Sequence, residues 1–204
     1  MQFPDELKRL VERFKEHDQS YTSDRYGETS LRDDFLEPLF RNLGWDLNNS
    51  AGYAEAYRDV VKEETLRTED GVKAPDFTFR IGGTRKFFVE AKRPSVKLQT
   101  ASAAARQIRR YAWSAKLPLS ILTNFAEFAV YDTRIKPDAA DAAAKARVFL
   151  CKVDDYEEKW EWIYSVFSKE SILRGSFDKY VENNRSKRGT TEVDEEFLKT
   201  IEQC

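Results

Sequence analysis

Histidine is almost missing: His17 is the single copy among 204 residues. That excludes a histidine-rich zinc site and a histidine-based nucleophilic triad. Cysteine is equally scarce. Cys151 and Cys204 make neither a disulfide framework nor a metal-ligand spacing, and they fit a reducing, cytoplasmic compartment. The N-terminal MQFPDELKRL lacks the apolar core of a signal peptide, and no apolar run reaches membrane-spanning length. Net charge is small, −2 at neutral pH, which taken alone argues against a nucleic-acid partner.

Apolar residues make up 41% of the chain, with fourteen Phe, nine Tyr and four Trp, enough for the core of one substantial α/β domain. Charge is unevenly spread. From Lys73 to Lys116 there are eleven Lys or Arg and two acids, Asp76 and Glu90, a local excess of nine positive charges in a chain whose remainder carries a net −11. A basic segment inside an acidic chain predicts a local polyanion-binding face.

Leu7, Leu10, Val11 and Phe14 share one helical stripe, and Leu31, Phe35, Leu39 and Leu43 another, with Gly44 placed as a C-cap and Pro38 as a source of a kink. Glu28 falls in the first turn of the second helix, on the face of Leu31 and Phe35. NNSAGYAEAYRDVVKEETLRTEDG reads as a loop with short strands. TASAAARQIRRYAWSAK reads as a helix whose small Ala103, Ala104 and Ala105 permit close approach to a sheet. PLSILT, EFAVYD and RVFLCKV read as strands, the first two joined by a tight turn at Asn124–Ala126. IKPDAADAAAKA is a low-complexity connector. From Asp154 the composition turns helical: Tyr156, Trp160, Ile163 and Phe167 recur at helical spacing. RGSFDKYVENNRSKRGTT is a polar, Gly-punctuated stretch, and EVDEEFLKTIEQC begins a last helix. The sequence predicts an α/β core with a central mixed sheet flanked by helices over residues 1–152, and a helical extension over 153–204.

APDFTFRIGGTRKFFVEAKRPS holds the chemistry. Phe88, Glu90 and Lys92 share one face of a strand. A three-residue loop at Gly82–Thr84 pairs Ile81 with Arg85 and sets Asp76 opposite Glu90; a two-residue loop would turn Glu90 to the far face. Two opposed carboxylates repel unless a proton or cation lies between them, and they suit a hard divalent ion, Mg2+ or Mn2+ in its place. Lys92, one step along, is placed to orient an attacking water or to stabilise charge developing on a phosphate. Gln107 and Tyr111, four apart on the next helix, converge on the same point, and Glu28 is placed to take a metal-bound water or a second ion. Arg93, Arg106, Arg109 and Arg110 are candidates to grip DNA phosphates without reading bases.

Pro75–Asp76 followed by Glu90–Lys92 resembles the PD-(D/E)xK nuclease superfamily, and QIRRY at Gln107–Tyr111 resembles the QxxxY element of one of its branches. GETSLRDDFLEPLFRNLGW and LPLSILTNFAEFAVYDTR narrow the likeness to the N-terminal nuclease domain of type IIG restriction–modification enzymes, with restriction subunits of type I enzymes similar. The resemblance implies a restriction-endonuclease-like fold. It implies that Asp76 and Glu90 hold Mg2+, that Lys92 is catalytic, that Glu28 is an auxiliary acid, and that Gln107 and Tyr111 support them. Double-stranded DNA, cut to leave a 5′-phosphate, is the implied substrate. Cutting both strands needs two centres, so transient pairing of two copies on DNA is expected. No Gly-rich cofactor loop or Asn/Asp-Pro-Pro-aromatic motif is present, so no S-adenosylmethionine site is expected in this chain. The implied partners are therefore methyltransferase and target-recognition regions of a longer protein. Two alternatives stand beside this: a DNA-docking module inactive in isolation, and a stand-alone repair or junction nuclease.

Overall fold

The computed structural model describes residues 1–68 and 71–183. Helix α1 (Asp5–Glu16) buries Leu7, Leu10 and Phe14, the apolar stripe of its sequence. Asp5 and Glu6 stand in its first turn and Arg13 and Lys15 in its last, which complements the helix dipole. A short α2 (Asp18–Tyr21) follows. The second helical stripe forms in three pieces: α3 (Glu28–Leu31), a π-helical turn (Arg32–Leu36) and α4 (Glu37–Asn42). The disturbance due to Pro38 thus takes the form of a widened turn just upstream of it. Pro38 has no N–H to give the Asp34 carbonyl, and Arg13 Nη2 donates to that oxygen at 2.7 Å. At the far end Gly44 and Trp45 N–H groups return to the Arg41 and Phe40 carbonyls, a Schellman closure.

The polar stretch that follows supplies β1 (Val60–Lys62) and the small hairpin β2 (Leu66–Thr68) and β3 (Gly71–Lys73). The main strands are β4 (Phe77–Ile81), β5 (Thr84–Ala91), β6 (Leu119–Thr123), β7 (Glu127–Asp132) and β8 (Arg147–Lys152). They form a six-stranded sheet in the order β1-β4-β5-β6-β7-β8. Every neighbour is antiparallel except β5 and β6, which run parallel. A parallel pair needs a crossover, and α5 (Ser102–Ser114) provides it.

Two apolar layers result. On one face, Phe77, Phe79, Phe87, Val89 and Ile121 join Leu7, Phe14 and Phe40 of the N-terminal helices. Trp160, Ile163 and Phe167 of α6 (Tyr156–Phe167) join the same cluster, as does Ile172 of α7 (Lys169–Leu173). On the other face, Phe88, Leu122, Ala129 and Tyr131 lie under Ala104, Ala105, Ile108 and Ala112 of α5. The residues after Lys152 follow the sheet in chain order but share its core. Trp162 stacks on Phe149 with centroids 3.9 Å apart, Trp45 Nε1 donates to the Phe167 carbonyl at 2.8 Å, and Lys169 Nζ reaches Asp59 at 2.6 Å. The polar stretch after Arg174 contains a helix, α8 (Ser176–Asn183), because Phe177 and Tyr180 share a face that the core buries. The helix expected in EVDEEFLKTIEQC lies outside the described residues. Among the described residues no helix is long and apolar enough to cross a membrane.

Candidate active site

The β4–β5 hairpin decides which residues meet. Its sequence suggests a three-residue loop; the structure has a two-residue turn, with Ile81 paired to Thr84 and positive φ at both Gly82 and Gly83. That is the type I′ geometry that Gly-Gly favours. Alone it would send Glu90 to the face away from Asp76. A β-bulge reverses this: Arg80 pairs with Arg85 but Phe79 pairs with Phe87, leaving Lys86 as an extra residue on β5. From there Phe77 pairs with Val89, and one step on Asp76 falls opposite Glu90. The expected opposition holds, for a different reason.

Asp76 sits just before β4. Its Oδ2 accepts the Ala91 N–H at 2.7 Å and its Oδ1 accepts Arg32 Nη1 at 2.8 Å. Glu90 is buried on the α5 face. Its Oε1 accepts Lys92 Nζ at 2.7 Å and Gln107 Nε2 at 2.6 Å, while its Oε2 is buried with no hydrogen-bond partner. Gln107 uses its second amide hydrogen on the Tyr111 hydroxyl at 3.0 Å. The helical spacing of Gln107 and Tyr111 does bring both to the acids, with Gln107 gripping Glu90 directly.

The electrostatics follow from this crowding. Burial, then the charge of Asp76, pushes Glu90 up to about 7, against the pull of Lys92. Burial also raises Asp76, offset in part by the Ala91 N–H and by Arg32. For Lys92 burial acts downward, but the charge of Glu90 and the bond to it outweigh burial, so its pKa is raised. Tyr111 is raised by burial and by Glu90. Glu28 is half-buried and acts through its charge, raising Asp76 and Glu90. Among the described residues no three His, Cys, Asp or Glu side chains gather into a ready metal cage.

Two residues at the site have no place in the sequence motif. Arg32, four residues after Glu28 and so on the same side of the helix, bonds Asp76; that spacing is a signal available in the sequence. Glu63 accepts the same Arg32 Nη1 at 2.9 Å, from a turn that no periodicity announces.

The basic segment is largely engaged within the fold. Arg80 and Arg85 both bond Glu64. Arg106 donates to the Asp141 carbonyl at 3.2 Å. Arg109 corrects its expected role: it is 0% exposed, its guanidinium bonds Asp141 Oδ2 at 2.7 Å, and it anchors the 135–146 connector instead of a phosphate. Arg93, Lys97 and Arg110 are exposed.

The donor set fits a hard divalent ion. An unpaired buried carboxylate oxygen is rare in folded proteins, and here it belongs to an acid beside a second acid. Asp76 and Glu90 would offer it oxygen ligands, and water in the remaining positions would suit Mg2+.

Fold and site together define an α/β domain with an acid–acid–lysine cluster at the end of a sheet strand. Residues 25–139, which include Glu28, Asp76, Glu90, Lys92, Gln107 and Tyr111, match the family model described as type I restriction enzyme R protein N terminus, and the chain belongs to that family. It is 41% identical over 199 residues to the Type II restriction enzyme and methyltransferase RM.Eco57I of Escherichia coli, an alignment covering 97% of this chain. The chain spans about a fifth, 20%, of the length of that relative. The crystal structure of the type IIG restriction endonuclease BpuSI superposes on 84% of this chain and 18% of its own, at 18% identity and a TM-score of 0.45.

Proposed function

We propose that the chain is the Mg2+-dependent DNA-cleaving module of a type IIG-like restriction–modification enzyme, working in the cytoplasm on double-stranded DNA. Methyltransferase and target-recognition regions of a longer protein are its partners, a reading supported by the name of the relative that it matches over a fifth of that protein's length. The unpaired Oε2 of buried Glu90, next to Asp76, carries the proposal.

Asp76 and Glu90 hold the ion; Mn2+ serves in place of Mg2+. Bound there, the ion supplies a more acidic water and a counter-charge for the phosphate. Lys92, its pKa raised, is an ammonium at neutral pH and so acts by charge and hydrogen bonding rather than as a base. One of its three hydrogens serves Glu90, leaving two for a phosphate oxygen or the attacking water. Gln107 keeps Oε1 of Glu90 occupied, which would leave Oε2 to hold the ion, with Tyr111 steadying the amide. Arg93 and Arg110 face the DNA backbone.

Nicking of supercoiled plasmid in Mg2+ tests the reading. Lys92→Ala is expected to cut at least about a thousandfold more slowly than the parent while binding DNA as well. Equal cutting by both removes Lys92 from the mechanism. No cutting by either, with DNA still bound, favours a docking module that is inactive in isolation.

A further inference from the structure

Arg32 has no part in the roles given above, yet it touches one acid of the pair. Its Nη1 donates to Asp76 Oδ1 at 2.8 Å and to Glu63 Oε1 at 2.9 Å. The two acceptors differ in setting. Asp76 is largely buried, whereas the Glu63 side chain is 66% exposed. Glu63 occupies a turn with φ 51, and its N–H donates to the Asp76 carbonyl, so the turn is tied to the site acid by its backbone. Arg32 comes from the opposite side, as the first residue of the π-helical turn. One guanidinium nitrogen therefore lies between a site acid and an acid at the surface.

We propose that Arg32 is an internal counter-cation for the acid pair: it neutralises Asp76 while no divalent ion is bound, and withdraws to Glu63 alone when one binds. This rests on reading Asp76 and Glu90 as the ion's ligands. A guanidinium bonded to Asp76 and a divalent ion on the same carboxylate are like charges a few ångströms apart, in a site that excludes most solvent. They compete for Asp76 Oδ1. Glu63 eases the exchange, since the guanidinium keeps one charged partner as it leaves the other. The unpaired Oε2 of Glu90 fits the same account: Arg32 serves Asp76, Lys92 serves Oε1 of Glu90, and Oε2 is left for the ion.

Calorimetric titration of the 204-residue chain with Mn2+ tests this. Uptake that Glu90→Gln abolishes locates the ion; without such uptake, the site reading and this proposal fall together. With it, Arg32→Gln is expected to bind Mn2+ about tenfold more tightly than the parent, and Arg32→Lys to bind like the parent. Glu63→Gln is expected to bind about threefold more weakly, because Arg32 is then left with Asp76 alone. A residue that only braces the helix gives no gain in affinity on removal. Equal or weaker binding by Arg32→Gln, in protein whose circular dichroism matches the parent, overturns the proposal while leaving the ion site standing. Should Arg32→Gln fail to fold, Glu63→Gln decides, and unchanged affinity there overturns the proposal.

Discussion

Keeping Glu90 ionised is unfavourable in the absence of a cation. It is 4% exposed and faces Asp76, and its pKa stands at about 7 against an ordinary 4.5. Between those values the folded chain holds a proton that the unfolded chain has lost. Stability therefore falls as pH rises through that window and stays at its lower level above it. The shift corresponds to on the order of 3 kcal/mol. Without divalent ions, Glu90→Gln should be more stable than the parent by roughly 1–3 kcal/mol at pH 8 and should lose most of that advantage at pH 5. Urea denaturation of both proteins in chelator at the two pH values measures it, and no difference at pH 8 would mean that the pair is better solvated than its burial implies. At this scale the shared face of Glu90 and Lys92, and that of Gln107 and Tyr111, were legible because strand and helix periods fix them. Arg109 was misread because its partner, Asp141, is 32 residues away in the chain. It stands four residues from Ala105 and three from Ala112, on the buried stripe, and Asp141 makes burial of its charge tolerable.

The hairpin shows how elements outrun sequence. Gly82–Gly83 announces a tight turn, but nothing in TRKFF marks Lys86 as the bulge that restores the pairing of the acids. The two glycines are not equivalent. Both have positive φ, yet a Cβ on Gly82 meets nothing, whereas one on Gly83 would lie 2.8 Å from the Ala56 carbonyl oxygen. Gly82→Ala should cost about 1 kcal/mol and Gly83→Ala about 2–4 kcal/mol, compared by denaturant midpoints. Matching losses would show that the 55–57 segment yields freely. The strands and longer helices were legible from their apolar periods. The π-helical turn was not, since Pro38 predicts a disturbance without saying what shape it takes.

Across the whole molecule, the sheet's first face is closed from both ends of the chain. The shift to helical composition after Lys152 was visible in sequence; that those helices complete the sheet's core was not, because Trp160 and Phe167 find partners far back in the chain. Phe167 packs on Phe87 with centroids 5.0 Å apart, and Phe3 packs on Trp160 at 5.6 Å. A chain ending at Lys152 would keep the cover of the N-terminal helices but lose that of Trp160, Ile163 and Phe167. It should show no cooperative thermal transition and should bind a hydrophobic dye, both of which the parent should reverse; a sharp melt would make residues 1–152 self-sufficient. Part of the basic segment's charge is spent inside the fold, which a charge count does not show, since Arg80, Arg85 and Arg109 pair with its own acids. Closure from both ends also sets a timetable for synthesis. Until Phe167 has left the ribosome, the nascent sheet displays Phe87 with Trp45 against it but without the cover of Phe167. A newly made chain passes through a sticky, half-built stage, and slowing translation just after β8 should increase its capture by chaperones.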